Sequence, residues 1–120
     1  MSVSEIRAEE LKQRLDSGED LFLLDVRDED EYQRSNIGGY LIPLGELHKR
    51  VGELDAKRKI VALCKTGRRG IEAVQVLHRA GFKKVWNLDG GIRAWSNRVD
   101  RRVRKRPAEP WVCARVRAGV

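Results

Sequence analysis

The sequence predicts one α/β domain with helices on both faces of a central, mostly parallel sheet of four or five strands. Strand-like and helix-like patterns alternate along the chain with short breaks, which is typical of this architecture. Residues 21–26 and 59–63 are apolar on both faces, as strands buried in a parallel sheet tend to be. A chain of 120 residues can also bury a core without disulfide or metal support.

The first half of the chain supplies two strands and two helices. Residues 3–6 are predicted as a short strand, and residues 8–17 as a helix in which Leu11 and Leu15 lie one turn apart, before Gly18 ends it. Residues 21–26 form the first buried strand. Residues 28–34 form a polar helix with acidic residues in its first turn, where the helix dipole favours them.

The second half repeats this alternation. Residues 40–42 are predicted as a short strand, and a helical segment runs from Pro43 to about Val51. Residues 59–63 form a buried strand that Cys64 closes, and a tight loop leads into an amphipathic helix over residues 70–80. Residues 84–86 are the last predicted strand, and Gly90-Gly91 opens a final helix that ends near Arg98.

The positive charge of the chain is concentrated at one end. Residues 1–100 carry 18 Lys and Arg against 17 Asp and Glu, whereas residues 101–120 carry seven against one. We therefore assign residues 1–99 to the domain and residues 100–120 to a basic, flexible C-terminal extension. Most of the net charge of +7 lies in this extension, so the net charge gives no reason to place a nucleic-acid surface on the folded body.

The loop after the second buried strand has the features of a reactive cysteine site. A free cysteine, with a pKa near 8.5, is mostly protonated at neutral pH, so a nucleophilic cysteine needs positive potential nearby. Lys65, Arg68 and Arg69 supply cations, while Gly67 lets successive N–H groups turn inward and the helix from about Gly70 adds its positive end. Since adjacent arginines on a tight loop cannot both face one site, we expect Arg69 to point inward. The alternative is that Cys64 is only a small buried apolar residue.

Four ordered segments resemble the rhodanese family over about residues 4–98. They are Leu23-Leu24-Asp25-Val26-Arg27 with Glu31-Tyr32, then Ile42-Pro43-Leu44, then the six-residue loop Cys64-Lys65-Thr66-Gly67-Arg68-Arg69, and finally Gly90-Gly91-Ile92-Arg93-Ala94-Trp95. Residues 36–47 are further similar to rhodanese domains fused to adenylyltransferases that supply sulfur to ubiquitin-like carriers.

The resemblance implies a sulfurtransferase of the thiosulfate type. Cys64 would take the outer sulfur of a donor as a persulfide and pass it to a thiophilic acceptor, with no metal and no other cofactor. Residues 65–70 of the loop, namely Lys65, Thr66, Gly67, Arg68, Arg69 and Gly70, would bind the small anionic donor. The implied partners are a cysteine desulfurase or a ubiquitin-like sulfur-carrier protein.

Two further positions on the signatures carry specific expectations. Asp25 and Arg27 either shape the pocket or, as we favour, form an ion pair that holds the strand to the loop. Gly70 stands where the family usually has Ser or Thr, and Ser35-Asn36-Ile37 stands where it often has Gly-His-Ile. A hydroxyl at position 70 is expected to cap the helix and bond toward the sulfur, so without it we expect the reactivity of Cys64 to be weakened but not lost.

Two alternatives come from other functional classes. A phosphatase of related fold needs arginine six residues after its cysteine, but Gly70 occupies that position and Arg69 falls one residue early. The stronger alternative is a rhodanese-like module that binds partners without catalysis, although such modules typically lose the cysteine that this chain keeps as Cys64.

The remaining features indicate no further site. His48 and His78 lack a second ligand at metal spacing, and Cys113 is interpreted as incidental. The basic run of residues 101–106 is the only candidate for nucleic-acid binding, and a shifted reading frame would produce the same abrupt change in composition. With no apolar leader and no membrane-length apolar stretch, the chain is expected to be cytoplasmic and to bind no membrane; the pattern does not fix its oligomeric state.

Overall fold

The computed structural model describes residues 3–99. The strands are β1 (Glu5–Ile6), β2 (Leu21–Asp25), β3 (Tyr40–Leu41), β4 (Lys59–Leu63) and β5 (Val85–Leu88). The helices are α1 (Ala8–Asp16), α2 (Glu29–Arg34), α3 (Leu47–Arg50), α4 (Arg68–Arg79) and α5 (Gly91–Arg98), and 3₁₀ turns at Leu44–Glu46 and Val51–Glu53 flank α3. The basic extension, with Cys113, lies outside the described residues.

The five strands form one sheet in the order β1-β5-β4-β2-β3, and every neighbouring pair is parallel. The two apolar strands β2 and β4 lie side by side, with Leu21 opposite Lys59 and Asp25 opposite Leu63. Their central position explains why all of β2 and nearly all of β4 is buried. Because parallel strands end at the same edge, this register brings the residues after β2 next to those after β4.

Helices cover both faces of the sheet and complete the three layers. α1 packs with α5, whereas α3 packs with α4, which in turn lies against β4 and β5. The core is correspondingly aliphatic, with Leu24, Val61 and Leu77 fully buried. The predicted three-layer α/β/α fold is confirmed, with five strands and a sheet that is parallel throughout.

Several predicted element boundaries differ from the observed ones by one or two residues, as in the last strand, which is Val85–Leu88, and two predicted helices are wrong in ways that need a physical explanation. The helix expected from residue 70 begins at Arg68, because Gly67 adopts a left-handed backbone with φ +99° and starts the helix two residues earlier. The helical segment expected over residues 43–51 is broken into α3 and its two 3₁₀ turns. The first of these differences shortens the loop after Cys64.

Candidate active site

The loop after β4 folds tightly around the sulfur of Cys64. Cys64 is 1% exposed and follows the last residue of β4, and three residues separate it from the first residue of α4. The backbone N–H of Gly67 donates to the Cys64 Sγ at 3.0 Å, and that of Gly70 donates at 3.2 Å. Both donors belong to the start of α4, where the helix dipole is positive, so the geometry stabilises negative charge on this sulfur.

The start of α5 fixes the other side of the loop. The N–H of Ile92 donates to the Cys64 carbonyl oxygen at 2.7 Å, and the N–H of Arg93 donates to the Lys65 carbonyl oxygen at 3.0 Å. Gly91 permits this close approach, because a Cβ there would lie 2.5 Å from the Lys65 carbonyl carbon. Gly91, the first residue of α5, therefore allows the backbone at the start of this helix to hold the loop.

Arg69 is bound to a carboxylate on α2. Its Nη1 and Nη2 donate to the Glu31 Oε1 and Oε2 at 2.6 and 2.9 Å, and both side chains are partly exposed. These hydrogen bonds, with a further one from the Asp28 amide, lower the pKa of Glu31 to about 2. The pKa of Arg69 is raised, chiefly by Glu31 and to a lesser degree by the negative charge of Cys64.

The loop cations therefore have different surroundings. Lys65, Thr66 and Arg68 are exposed, whereas Arg69 is half-buried. Arg69 thus turns toward the body of the domain, but its Nη1 and Nη2 both donate to Glu31. Since Glu31 balances its charge, Arg69 contributes less positive potential than the sequence analysis assumed.

Asp25 and Arg27 form a buried ion pair at the end of β2. The Arg27 Nη2 lies 2.8 Å from the Asp25 Oδ2, and the side chains are 5% and 0% exposed. Arg27 also donates to the carbonyl oxygens of Ser35 and Glu31, at 2.8 and 3.3 Å. The expected ion pair is present, but the carbonyl oxygens that Arg27 binds belong to the segment that carries α2, so the pair ties the end of β2 to that segment and not to the Cys64 loop as expected.

A cationic pocket of about 340 Å³ lies between this ion pair and α5. It is lined by Arg27, Lys65, Ile92, Arg93, Ser96 and Asn97. Within residues 3–99, neither Lys65 nor Arg93 forms an ion pair, whereas Arg27 is neutralised by Asp25. Among the described residues, the pocket thus offers two uncompensated cations, of which Lys65 directly follows Cys64 in the chain.

Gly70 does not have the capping position that the sequence analysis gave it. Gly67 is the N-cap of α4, and Gly70 lies three residues into the helix. A Cβ at position 70 would collide with the Asn87 Oδ1 and lie 3.0 Å from the Asn87 Cγ. The absence of a hydroxyl at this position therefore reflects the packing of Asn87, and the expected loss of tuning is not supported by the geometry.

Sequence reasoning missed three residues of this site. Glu31 was recognised only as part of a signature, Arg93 only as part of the closing motif, and Asn87 not at all. Asn87 directly follows the predicted strand of residues 84–86, and the observed β5 extends over it, so the available signal was a polar residue at the end of a buried strand, which must find hydrogen bonds.

Residues 3–99 contain neither a metal-binding cluster nor a membrane-spanning helix. No group of three or more His, Cys, Asp or Glu side chains is placed to hold a metal ion. None of the helices described here has the length and apolar character needed to cross a membrane.

Comparison with known proteins identifies the fold and its relatives. The family model described as a rhodanese-like domain matches residues 7–98. A crystal structure of a rhodanese-related protein from Thermoplasma volcanium superposes with a TM-score of 0.73 at 27% identity, covering 80% of this chain and 93% of that one.

Three curated relatives carry names that refer to sulfur. YrkF of Bacillus subtilis, named for a sulfur carrier role, is 42% identical over 82% of this chain and 54% of its own length. MoeZ of Mycobacterium tuberculosis, named as an adenylyltransferase and sulfurtransferase, is 40% identical over 80% of this chain but only 25% of its own. YtwF of Bacillus subtilis, named as a sulfurtransferase, is 32% identical over 79% of this chain and 92% of its own. The chain therefore spans about half of the first relative and a quarter of the second.

Proposed function

The chain belongs to the family of rhodanese-like domains, and we propose that it is a sulfurtransferase that carries sulfane sulfur on Cys64. The observation that carries this proposal is the pair of N–H groups that Gly67 and Gly70 direct at the Cys64 Sγ. A thiolate and a persulfide both place negative charge on sulfur, and oriented backbone donors at a helix N-terminus stabilise that charge. The sulfurtransferase names of MoeZ and YtwF point in the same direction.

The proposed reaction has two half-reactions. First, the Cys64 thiolate attacks the outer sulfur of a donor such as thiosulfate, so that an S–S bond to Sγ forms, the donor's own S–S bond breaks, and sulfite leaves with the bonding electron pair. Second, an acceptor such as cyanide or a thiolate attacks the terminal sulfur of the persulfide, and Cys64 leaves as the thiolate. Because the persulfide itself carries the sulfur, this cycle needs no resident metal or organic cofactor, and it obeys ping-pong kinetics.

The charges around Cys64 favour an anionic donor. Lys65 and Arg93 line the cationic pocket, where no carboxylate of residues 3–99 pairs with them, and Arg68 is exposed on the first turn of α4. Arg69 contributes less, since Glu31 holds its guanidinium. We therefore assign the attraction of donors such as thiosulfate mainly to Lys65 and Arg93 rather than to the arginine pair of the loop.

Sulfur-carrying proteins are proposed as the physiological partners. Relatives named for a sulfur carrier role and for combined adenylyltransferase and sulfurtransferase activities support a carrier protein as acceptor. We propose a cysteine-desulfurase persulfide as an alternative donor. A panel that offers thiosulfate, desulfurase persulfide and carrier protein separately, with sulfur on Cys64 as the readout, distinguishes these routes. The cytoplasmic location stays a prediction.

The decisive experiment is intact-mass measurement after incubation with thiosulfate. We expect a gain of one sulfur atom that cyanide removes as thiocyanate, and we expect Cys64→Ser to abolish both signals. Cys113→Ser is the matched control, because it removes the other cysteine of the chain and should retain the adduct. Wild-type protein that gains no sulfur from any donor of the panel contradicts the proposal and favours the non-catalytic binding module. A phosphatase is tested in the same preparation with a phosphate ester, and no turnover is expected.

A further inference from the structure

Asn87 is a buried polar side chain that lies against the loop of Cys64. It belongs to β5 and is completely buried. Its Nδ2 donates to the Gly67 carbonyl oxygen at 3.0 Å and to the Glu5 Oε2 on β1 at 2.9 Å. Both partners are acceptors, so they fix which end of the amide faces them. The Oδ1 must therefore point the other way, toward α4.

The Oδ1 of Asn87 fills the space beside Gly70. It occupies the place where a Cβ on Gly70 would lie, and it has no hydrogen-bond partner among residues 3–99. A buried carbonyl oxygen without a partner is costly, so its position indicates a structural or functional requirement. One asparagine thus contacts both residues whose N–H groups donate to the Cys64 Sγ, since it bonds Gly67 and packs on Gly70.

We propose that Asn87 is a positioning residue that sets the reactivity of Cys64 by holding the two backbone donors in place. The hydrogen bond to Gly67 fixes the carbonyl of a residue in the left-handed conformation, and this conformation aims the Gly67 N–H at the sulfur. The contact with Gly70 limits the approach of the first turn of α4 to β5. This inference rests on the proposed role of Cys64 as the nucleophile, but its test does not require sulfur transfer.

The test is the pH dependence of Cys64 alkylation by iodoacetamide in Asn87→Ala, in a Cys113→Ser background that leaves Cys64 as the sole thiol. Loss of well-placed N–H donors destabilises the thiolate, so we expect the midpoint of the profile to rise by about half to one pH unit. A substitution that altered only the access of iodoacetamide to the sulfur would change the alkylation rate at every pH and leave the midpoint of the profile in place. We also expect kcat with thiosulfate to fall several-fold while the donor KM changes less than twofold.

Asn36→Ala is the matched control. Asn36 is another buried asparagine with two backbone hydrogen bonds, to the Tyr32 oxygen and from the Gly38 nitrogen, and it touches neither donor of the sulfur. It should lower the melting temperature without moving the midpoint. The charged residues on the elements around the loop are kept in both variants; they are Asp25, Arg27, Glu31, Lys65, Arg68, Arg69 and Arg93. Glu5 on β1 is also kept, but in Asn87→Ala it loses the hydrogen bond from the Asn87 Nδ2.

A second route tests the same contact from the side of Gly70. Gly70→Ala pushes its Cβ onto Asn87, so the midpoint should rise, whereas in the Asn87→Ala background the methyl group has room and should add no further shift. Asn87→Ser replaces Asn87→Ala if the latter does not fold. A midpoint within 0.2 pH units of wild type in the Asn87 variants, or additive shifts in the double variant, overturns the proposal.

The outcomes separate this inference from the proposed function. A wild-type protein that forms no persulfide while Asn87→Ala still shifts the alkylation midpoint contradicts sulfur transfer and supports the positioning role. A wild-type protein that forms a persulfide, with an unshifted Asn87→Ala profile, supports sulfur transfer and contradicts the positioning role.

Discussion

Glu31→Gln isolates the ion pair that joins α2 to the first turn of α4. Glu31 also accepts the Asp28 N–H in a capping box, and glutamine can keep that bond, so the substitution removes mainly the charge that Arg69 binds. The pKa of Glu31 falls from 4.5 to about 2 in the folded protein, chiefly through Arg69. At about 1.4 kcal/mol for each pKa unit, the full shift corresponds to about 3 kcal/mol. Because the two side chains are 33% and 24% exposed, solvent screens the pair, and we expect a loss of about 1 to 2 kcal/mol.

The direction of the Glu31 pKa shift determines how the stabilisation by this ion pair changes with pH. The folded-state pKa lies below the unfolded one, so the stabilisation is fully present above about pH 4.5 and is lost as the pH falls through about 2. The difference in unfolding free energy between wild type and Glu31→Gln should therefore be largest at pH 7 and fall to less than half of that value at pH 3. Urea unfolding followed by the fluorescence of Trp86 and Trp95 at pH 7, 5, 4 and 3 measures it.

Glu29→Gln is the control for this experiment. Glu29 lies in the same first turn of α2, and among the residues that the structure describes its side chain accepts one hydrogen bond, from the Gln33 Nε2 at 3.4 Å. We expect this substitution to change the free energy of unfolding by less than about 0.5 kcal/mol. A Glu31→Gln difference that is equal at pH 7 and pH 3, or no greater than that of Glu29→Gln, refutes the reasoning.

Three further predictions concern the pocket, the buried pair and α5. The double substitution Lys65→Ala and Arg93→Ala should raise the thiosulfate KM several-fold with little change in kcat, and the rise in KM should be smaller at high salt because salt screens the charges. Steady-state kinetics at two ionic strengths measure this. An unchanged KM would mean that the donor binds elsewhere. Asp25→Asn leaves Arg27 buried without its counter-charge and should cost about 3 to 5 kcal/mol in thermal unfolding, so a cost below about 1 kcal/mol contradicts the pairing. Gly91→Ala forces a Cβ against the Lys65 backbone and should destabilise by more than about 2 kcal/mol in urea, while a neutral result would show that the loop can shift.

Most of the fold follows from patterns that are local in the sequence. β2 and β4 are apolar on both faces because they occupy the middle of a parallel sheet, and that periodicity is visible in residues 21–25 and 59–63. The start of α4 was misplaced by two residues, because the left-handed conformation of Gly67 depends on its contact with the start of α5 as well as on residue type. Helix ends fixed by tertiary contact are not encoded in local periodicity.

The candidate site was predictable in its position but not in its electrostatics. Cys64 at the carboxyl end of a buried strand was recognisable from the sequence, whereas the partner of Arg69 was not, since Glu31 lies 38 residues earlier in the chain. The same holds for Asn87, whose contacts with Glu5 and Gly67 join three separate segments. Side-chain partners that are distant in sequence require the register of the sheet before they can be assigned.

In the structure, backbone N–H groups rather than charged side chains make the contacts that stabilise negative charge on the sulfur of Cys64. The sequence assigned the positive potential to Lys65, Arg68 and Arg69, with Arg69 expected to point inward, but Arg69 is balanced by Glu31 and Arg68 is exposed. Two N–H groups at the start of α4 make the direct hydrogen bonds to the sulfur. Substitutions other than proline leave a backbone N–H in place, so they act on these donors through the residues that hold the loop. It follows that substitutions at Asn87 and at Gly91, the first residue of α5, should destabilise the Cys64 thiolate more than the neutralisation of any single loop cation does. Neutralising a loop cation should act mainly on the affinity for the donor.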